Sequence, residues 1–168
     1  MVLAAWTATA QIPKYYQATW DSLRTYEVPE RYKDAKLGIL QIWGPYSVAE
    51  YRGTHAAEWY PRWMYLVEDP DKPFNEYDSQ GAAIAKHHLE TYGDPGKFGY
   101  HDFIPSFKAE KWNPDEWAQF AVDCGAGFFT MISEFHDGFA MYDSSHTQWD
   151  SVEMGPKRDV TGELAEAM

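Results

Sequence analysis

Two short apolar runs, far apart in the chain, constrain its fold more than any other feature. Leu37-Gly38-Ile39-Leu40-Gln41-Ile42-Trp43 is stopped at once by Gly44-Pro45. Gly127-Phe128-Phe129-Thr130-Met131-Ile132-Ser133 runs into Glu134-Phe135-His136-Asp137-Gly138-Phe139. Apolar runs of this length, bounded by turn residues, read as buried strands. Helical patterns lie between and after them. Strands alternating with helices indicate an α/β fold with a parallel sheet and crossover connections.

The helix before the second run is the most clearly marked. Asn113 is placed to cap it, Pro114 suits the first helical position, and Asp115 and Glu116 favour the positive end of the dipole. Trp117, Phe120, Ala121 and Cys124 share one face, and Gly125 is the stop. Further helices are expected near Thr19–Thr25 and Ser79–Thr91, the latter ended by Tyr92-Gly93-Asp94-Pro95-Gly96. A last one places Val160, Leu164 and Met168 on one face. Residues 11–35 read as an irregular lead-in, and the rest of 45–110 as rich in loops. Two strand–helix units bury little and leave edges bare, so the pattern looks interrupted at Met168.

The 168 residues suffice for one domain with a core. Residues 1–18 form an N-terminal arm or the remnant of a signal peptide: Ala8-Thr9-Ala10 resembles a cleavage site without a charged leader. The net charge is −12, and no cluster of Lys and Arg is present. Nucleic-acid binding is thereby disfavoured, as is attraction to anionic membrane. No apolar stretch approaches ~18 residues, so no spanning helix is expected. The single cysteine allows neither an internal disulfide nor a cysteine-based zinc cluster. His87 and His88, adjacent on a helix, point about 100° apart and make a poor chelate. They are expected at the surface, and His55 and His146 in loops.

Ligands of parallel α/β folds bind at the C-terminal ends of strands. Trp43, Tyr46, Glu58 and Trp59 follow the first run, and His136 and Asp137 the second. Carboxylates and imidazole hydrogen-bond hydroxyls, and large rings cover the apolar C–H face of a sugar. The pattern suits a polyhydroxylated ligand. Aromatic residues make up 17 % of the chain.

Several ordered motifs sharpen this picture. They are Lys36-Leu37-Gly38-Ile39, Trp43-Gly44-Pro45-Tyr46-Ser47-Val48, and Glu58-Trp59-Tyr60-Pro61-Arg62 through Met64-Tyr65. Tyr100-His101-Asp102-Phe103, Glu116-Trp117-Ala118 and His136-Asp137-Gly138-Phe139 follow. Trp149, Met154-Gly155-Pro156-Lys157-Arg158-Asp159 and Gly162-Glu163-Leu164 close the series. Together, from about Thr19 to the last residue, they resemble the opening of family 29 glycoside hydrolases, the α-L-fucosidases. The resemblance implies that 19–168 is the N-terminal portion of a (β/α)8 barrel, about two βα units plus a long loop-rich excursion, truncated at its C-terminus. It implies retaining hydrolysis of terminal α-L-fucose by two carboxyl groups about 5–5.5 Å apart, with no metal or other cofactor. The nucleophile and the acid/base would both lie beyond this chain, leaving the chain itself inactive. Trp149-Asp150 is not a substitute pair.

By the same resemblance, Glu58 and Trp59 match an acidic-tryptophan pair that contacts fucose. His136 matches the second of two paired histidines, and Asp137 would orient that loop. The chain departs from the family twice. Ile42 stands where a histidine precedes Trp-Gly, and Phe135 replaces the first paired histidine. Each lost hydrogen bond to a buried sugar hydroxyl costs about 1 kcal/mol or more. The implied partner is a fucosylated glycan, the location secreted, periplasmic or lysosomal, and self-association to a homo-oligomer would cover bare apolar faces. Two other readings are a non-catalytic glycan-binding relic of the same fold and a self-sufficient small α/β domain.

Overall fold

A computed structural model describes residues 15–49, 51, 57–66 and 76–168, with 76–80 described as backbone only. The lead-in holds two short helices, α1 (Trp20–Leu23) and α2 (Glu30–Asp34). Thr19 caps α1 by accepting from the Ser22 N–H. The sequence pattern marks α1 but not α2, because a five-residue helix with no buried residue leaves no periodic apolar signal. Residues 1–14, with the expected cleavage-like segment, lie outside the described residues, as does His55.

Among the described residues the sheet has two strands, β1 (Gly38–Gln41) and β2 (Phe128–Met131). They pair in parallel with Gly38 opposite Phe128 and Gln41 opposite Met131. The parallel α/β expectation holds, with strands shorter than the apolar runs. Gly38 leaves room for the Phe128 ring, which a Cβ there would displace. The expectation of buried strands does not hold. Leu40 is 58 % and Phe128 36 % exposed. Two strands have too few neighbours to cover both faces of a sheet.

The excursion between the strands is more ordered than loop-rich sequence suggests. A 3-10 turn at Pro45–Ala49 follows β1, and a second spans Ala57–Trp59. Next come α3 (Tyr60–Trp63), α4 (Glu76–Thr91) and a 3-10 stretch at Tyr100–Ser106. The core sits here. Tyr46, Tyr60, Trp63, Ile84, Phe103, Ile104 and Phe139 are buried in one cluster.

His88 corrects the expectation of a surface pair. It is fully buried, while His87 is half-buried. His88 lies one turn after Ile84, on the face of α4 that meets α3. Its Nε2 lies 3.0 Å from the Phe98 carbonyl oxygen and its Nδ1 3.0 Å from the Tyr60 hydroxyl. A carbonyl only accepts, so Nε2 carries the proton and Nδ1 accepts from Tyr60 in the neutral ring.

Helix α5 (Pro114–Asp123) is capped as expected, Asn113 Oδ1 accepting from the Glu116 N–H at 3.4 Å. Gly125 follows at φ +72°, the left-handed stop. The face is narrower than the pattern implies. Ala121 is buried and Trp117 half-buried, but Phe120 and Cys124 are exposed. Helix α6 (Val160–Ala167) packs beside α5, burying Val160 and Leu164 and leaving Met168 exposed.

Candidate functional site

Three connections converge to form the site. The first is the turn after β1. Its geometry is fixed locally, the Ser47 hydroxyl donating to the Gly44 carbonyl at 2.7 Å. It drives the Tyr46 ring inward, 6.3 Å from the ring of Phe135. The second is the 3-10 turn at Ala57–Trp59, which presents Glu58 and Trp59. The third is the segment after β2. There the His136 ring lies on Trp59, with centroids 3.9 Å apart and planes 24° apart. Phe135 flanks His136 at 4.3 Å, and the Arg62 guanidinium stands 5.9 Å from the Trp59 ring.

Asp137 holds the third connection in place. Its Oδ2 accepts from the Tyr100 hydroxyl at 2.7 Å, and its Oδ1 from the Phe139 N–H at 3.1 Å. The indole N–H of Trp149 donates to its carbonyl oxygen at 3.1 Å. Burial raises the pKa of the Asp137 carboxyl above the ordinary aspartate value, while the bonds from Tyr100 and Phe139 pull it back. Each carboxylate oxygen thus accepts one hydrogen bond, from Tyr100 in the 3-10 stretch and from Phe139 in its own segment.

Tyr46 is different. Its hydroxyl is buried and has no hydrogen-bond partner. Burial, then the nearby carboxylates of Asp137 and Glu58, raise its pKa, so it stays protonated. It is a donor without an acceptor, beside Glu58. Tyr100 is likewise raised, by burial and then by Asp137.

Five of the six sequence-derived residues, Tyr46, Glu58, Trp59, His136 and Asp137, therefore fall in one neighbourhood. Trp43 does not join them. It packs on Phe107 at 5.1 Å and Trp112 at 5.5 Å. It lines a concavity of about 780 Å³ to which none of the other five contributes. Sequence reasoning missed Tyr100. Its side chain is tied to Asp137 across 37 positions, a pairing no local pattern reveals. Among the described residues, no group of three His, Cys, Asp or Glu side chains could hold a metal ion. No described helix is long and apolar enough to cross a membrane.

A parallel strand pair whose C-terminal connections gather carboxylates, an imidazole and stacked rings has the makings of a carbohydrate-handling α/β protein. Comparisons make this specific. The sequence model of the α-L-fucosidase family matches residues 3–168, and the chain belongs to that family. The chain is 36 % identical to an α-L-fucosidase of Branchiostoma floridae, over 91 % of this chain and 30 % of that protein. It is 30 % identical to the tissue α-L-fucosidase of Rattus norvegicus, over 100 % of this chain and 33 % of that protein. The crystal structure of Thermotoga maritima α-fucosidase in complex with fucose superposes with a TM-score of 0.77 at 35 % identity, covering 91 % of this chain and 34 % of that one. The chain spans about a third of the length of the relatives it matches.

Proposed function

We propose that this chain supplies one wall of the sugar site of a retaining α-L-fucosidase-type glycoside hydrolase. The observation that carries the reading is the Trp59–His136 stack with Glu58 alongside, in a chain of the α-L-fucosidase family. Glu58 accepts from sugar hydroxyls, the exposed His136 ring hydrogen-bonds another, and Trp59, stacked on His136 and Trp63, holds the imidazole in place and lends the site an apolar edge. Tyr46, its hydroxyl buried, backs this wall near Glu58 rather than meeting the sugar. Asp137 shapes the loop, tying it to Tyr100 and to the Phe139 backbone.

Residues 19–168 are the opening of a (β/α)8 barrel, with 1–18 as an arm or signal remnant. The barrel's remaining strands would cover the apolar sheet face around Leu40 and Phe128, and self-association serves the same end in this chain alone. Retaining hydrolysis needs two carboxyl groups about 5–5.5 Å apart. With Asp137 bound into its loop, the described site offers Glu58 alone, so the 168 residues do not turn over fucosides. The ligand is a fucosylated glycan, and the setting is secreted, periplasmic or lysosomal.

A chimera tests this. The corresponding N-terminal third of a competent fucosidase is replaced by this chain, and hydrolysis of an aryl α-L-fucoside is measured. The expected chimera is active and loses about tenfold or more in kcat/KM on Glu58→Ala. A folded chimera that is inactive, or indifferent to Glu58, contradicts the reading.

A further inference from the structure

Glu58 and Trp59 belong to the excursion, and His136 to the segment after β2. The His136 ring is exposed, yet it is held 3.9 Å from the Trp59 indole. A second route joins these two arms behind the stack. Trp59 leads directly into α3. The turn continues to Leu66, the Met64 N–H donating to the Tyr60 carbonyl and the Leu66 N–H to that of Trp63, each at 3.0 Å. Tyr65 rides on this turn. Tyr100 opens the 3-10 stretch, and the N–H groups at the start of a helix find no acceptor within it. The Tyr65 hydroxyl accepts from this one at 2.7 Å. The Tyr100 hydroxyl in turn donates to Asp137 at 2.7 Å, next to His136 in the chain. The circuit from Trp59 through Tyr65, Tyr100 and Asp137 to His136 therefore closes on the stack. Gly99 fits the same bond. Its φ of −96° is open to any residue, so conformation does not call for glycine there. It leaves room for the Tyr65 hydroxyl, which a Cβ at 2.8 Å would displace.

We propose that Tyr65 is a positioning residue of the sugar site: it meets no ligand itself, and through Tyr100 it holds the Glu58–Trp59 arm against His136. The inference rests on the reading of these residues as a wall that binds sugar. An exposed imidazole has several rotamers open to it. Groups that must meet a ligand together are kept in register by a further layer of hydrogen bonds behind them. Here that layer is two tyrosine hydroxyls in series, one accepting from backbone and one donating to a carboxylate. Because the links are in series, breaking either one frees the same two arms.

The test compares the 168-residue chain with Tyr65→Phe, which removes one oxygen from a side chain that is 48 % exposed. The His136 imidazole lies over the Trp59 ring, whose ring current moves its NMR signals upfield, so those signals report the stack without any sugar. In Tyr65→Phe they are expected to move downfield. L-fucose is expected to bind about threefold to tenfold more weakly, the worth of one hydrogen bond. Tyr65→Phe added to Tyr100→Phe is expected to cost no further affinity. A purely structural Tyr65 would lower the melting temperature and leave both the His136 signals of the folded chain and its fucose affinity unchanged. That result overturns the proposal, as do affinity losses that add in the double variant. If the native chain does not bind fucose, the sugar-wall reading fails, and the His136 signals alone decide the tie. Moved by Tyr65→Phe, they uphold it; unmoved, they overturn it.

Discussion

At the scale of residues, the site depends on how a few polar side chains are tied. Tyr100 donates to a carboxylate that burial makes costly to ionise. Tyr100→Phe is expected to cost about 1–3 kcal/mol in chemical denaturation and to loosen the His136 segment. Unchanged stability would mean that the bond to Asp137 contributes nothing. Phe135→His places a second imidazole beside His136, whose ring lies 4.3 Å from that of Phe135. It is expected to tighten L-fucose binding by about tenfold, one further hydrogen bond being worth about 1 kcal/mol or more, as read by titration. His88 brings a pH dependence. Burial lowers its pKa in the fold below the ordinary 6.5, against a smaller rise from the Phe98 carbonyl bond. As pH falls below 6.5, the unfolded chain therefore takes up the proton first. Stability from this residue is complete above that pH and declines as the pH drops toward its value in the fold. Melting temperatures between about pH 7.5 and pH 5 should fall in the native protein, and more shallowly in His88→Asn. The burial of His88 could not be read from sequence. Its partners, Tyr60 and Phe98, lie 28 and 10 positions away, whereas Glu58, Trp59 and His136 could be named from their motifs.

At the scale of elements, local chemistry was legible where it is self-contained. The Asn113 cap, Pro114 and the Gly125 stop all act within α5 and were readable from the sequence alone. Asn113→Ala is expected to cost about 1 kcal/mol, measured by denaturant melts. A loss near zero would mean that the 3.4 Å bond to Glu116 is not formed in solution. What failed was inference from apolarity to burial. Phe120 keeps the period of the α5 face but stays 54 % exposed, because α6 covers only part of α5. Leu40 and Phe128 sit in strands that, among the described residues, no third strand flanks. Periodicity tells which side chains share a face, and only the neighbouring elements decide whether that face is covered.

At the scale of the whole molecule, the packed centre lies in the excursion around Tyr60, Trp63 and Phe103, and the sheet sits at its margin with apolar side chains bare. That arrangement agrees with a chain spanning about a third of its relatives' length. The parallel strand pair was legible in the sequence. The separation of Trp43 from the other five site residues was not, since the turn at Gly44-Pro45 sends Trp43 and Tyr46 to different neighbours. The central claim is that Tyr46, Glu58, Trp59 and His136 form one wall of a fucose site within these 168 residues. A titration of the purified chain with L-fucose, followed at the Trp59 indole and His136 imidazole signals, tests it most directly. Saturable shifts at both, abolished by Glu58→Ala and absent with D-mannitol, are the expected result. Shifts at neither residue, or shifts indifferent to Glu58, would contradict it.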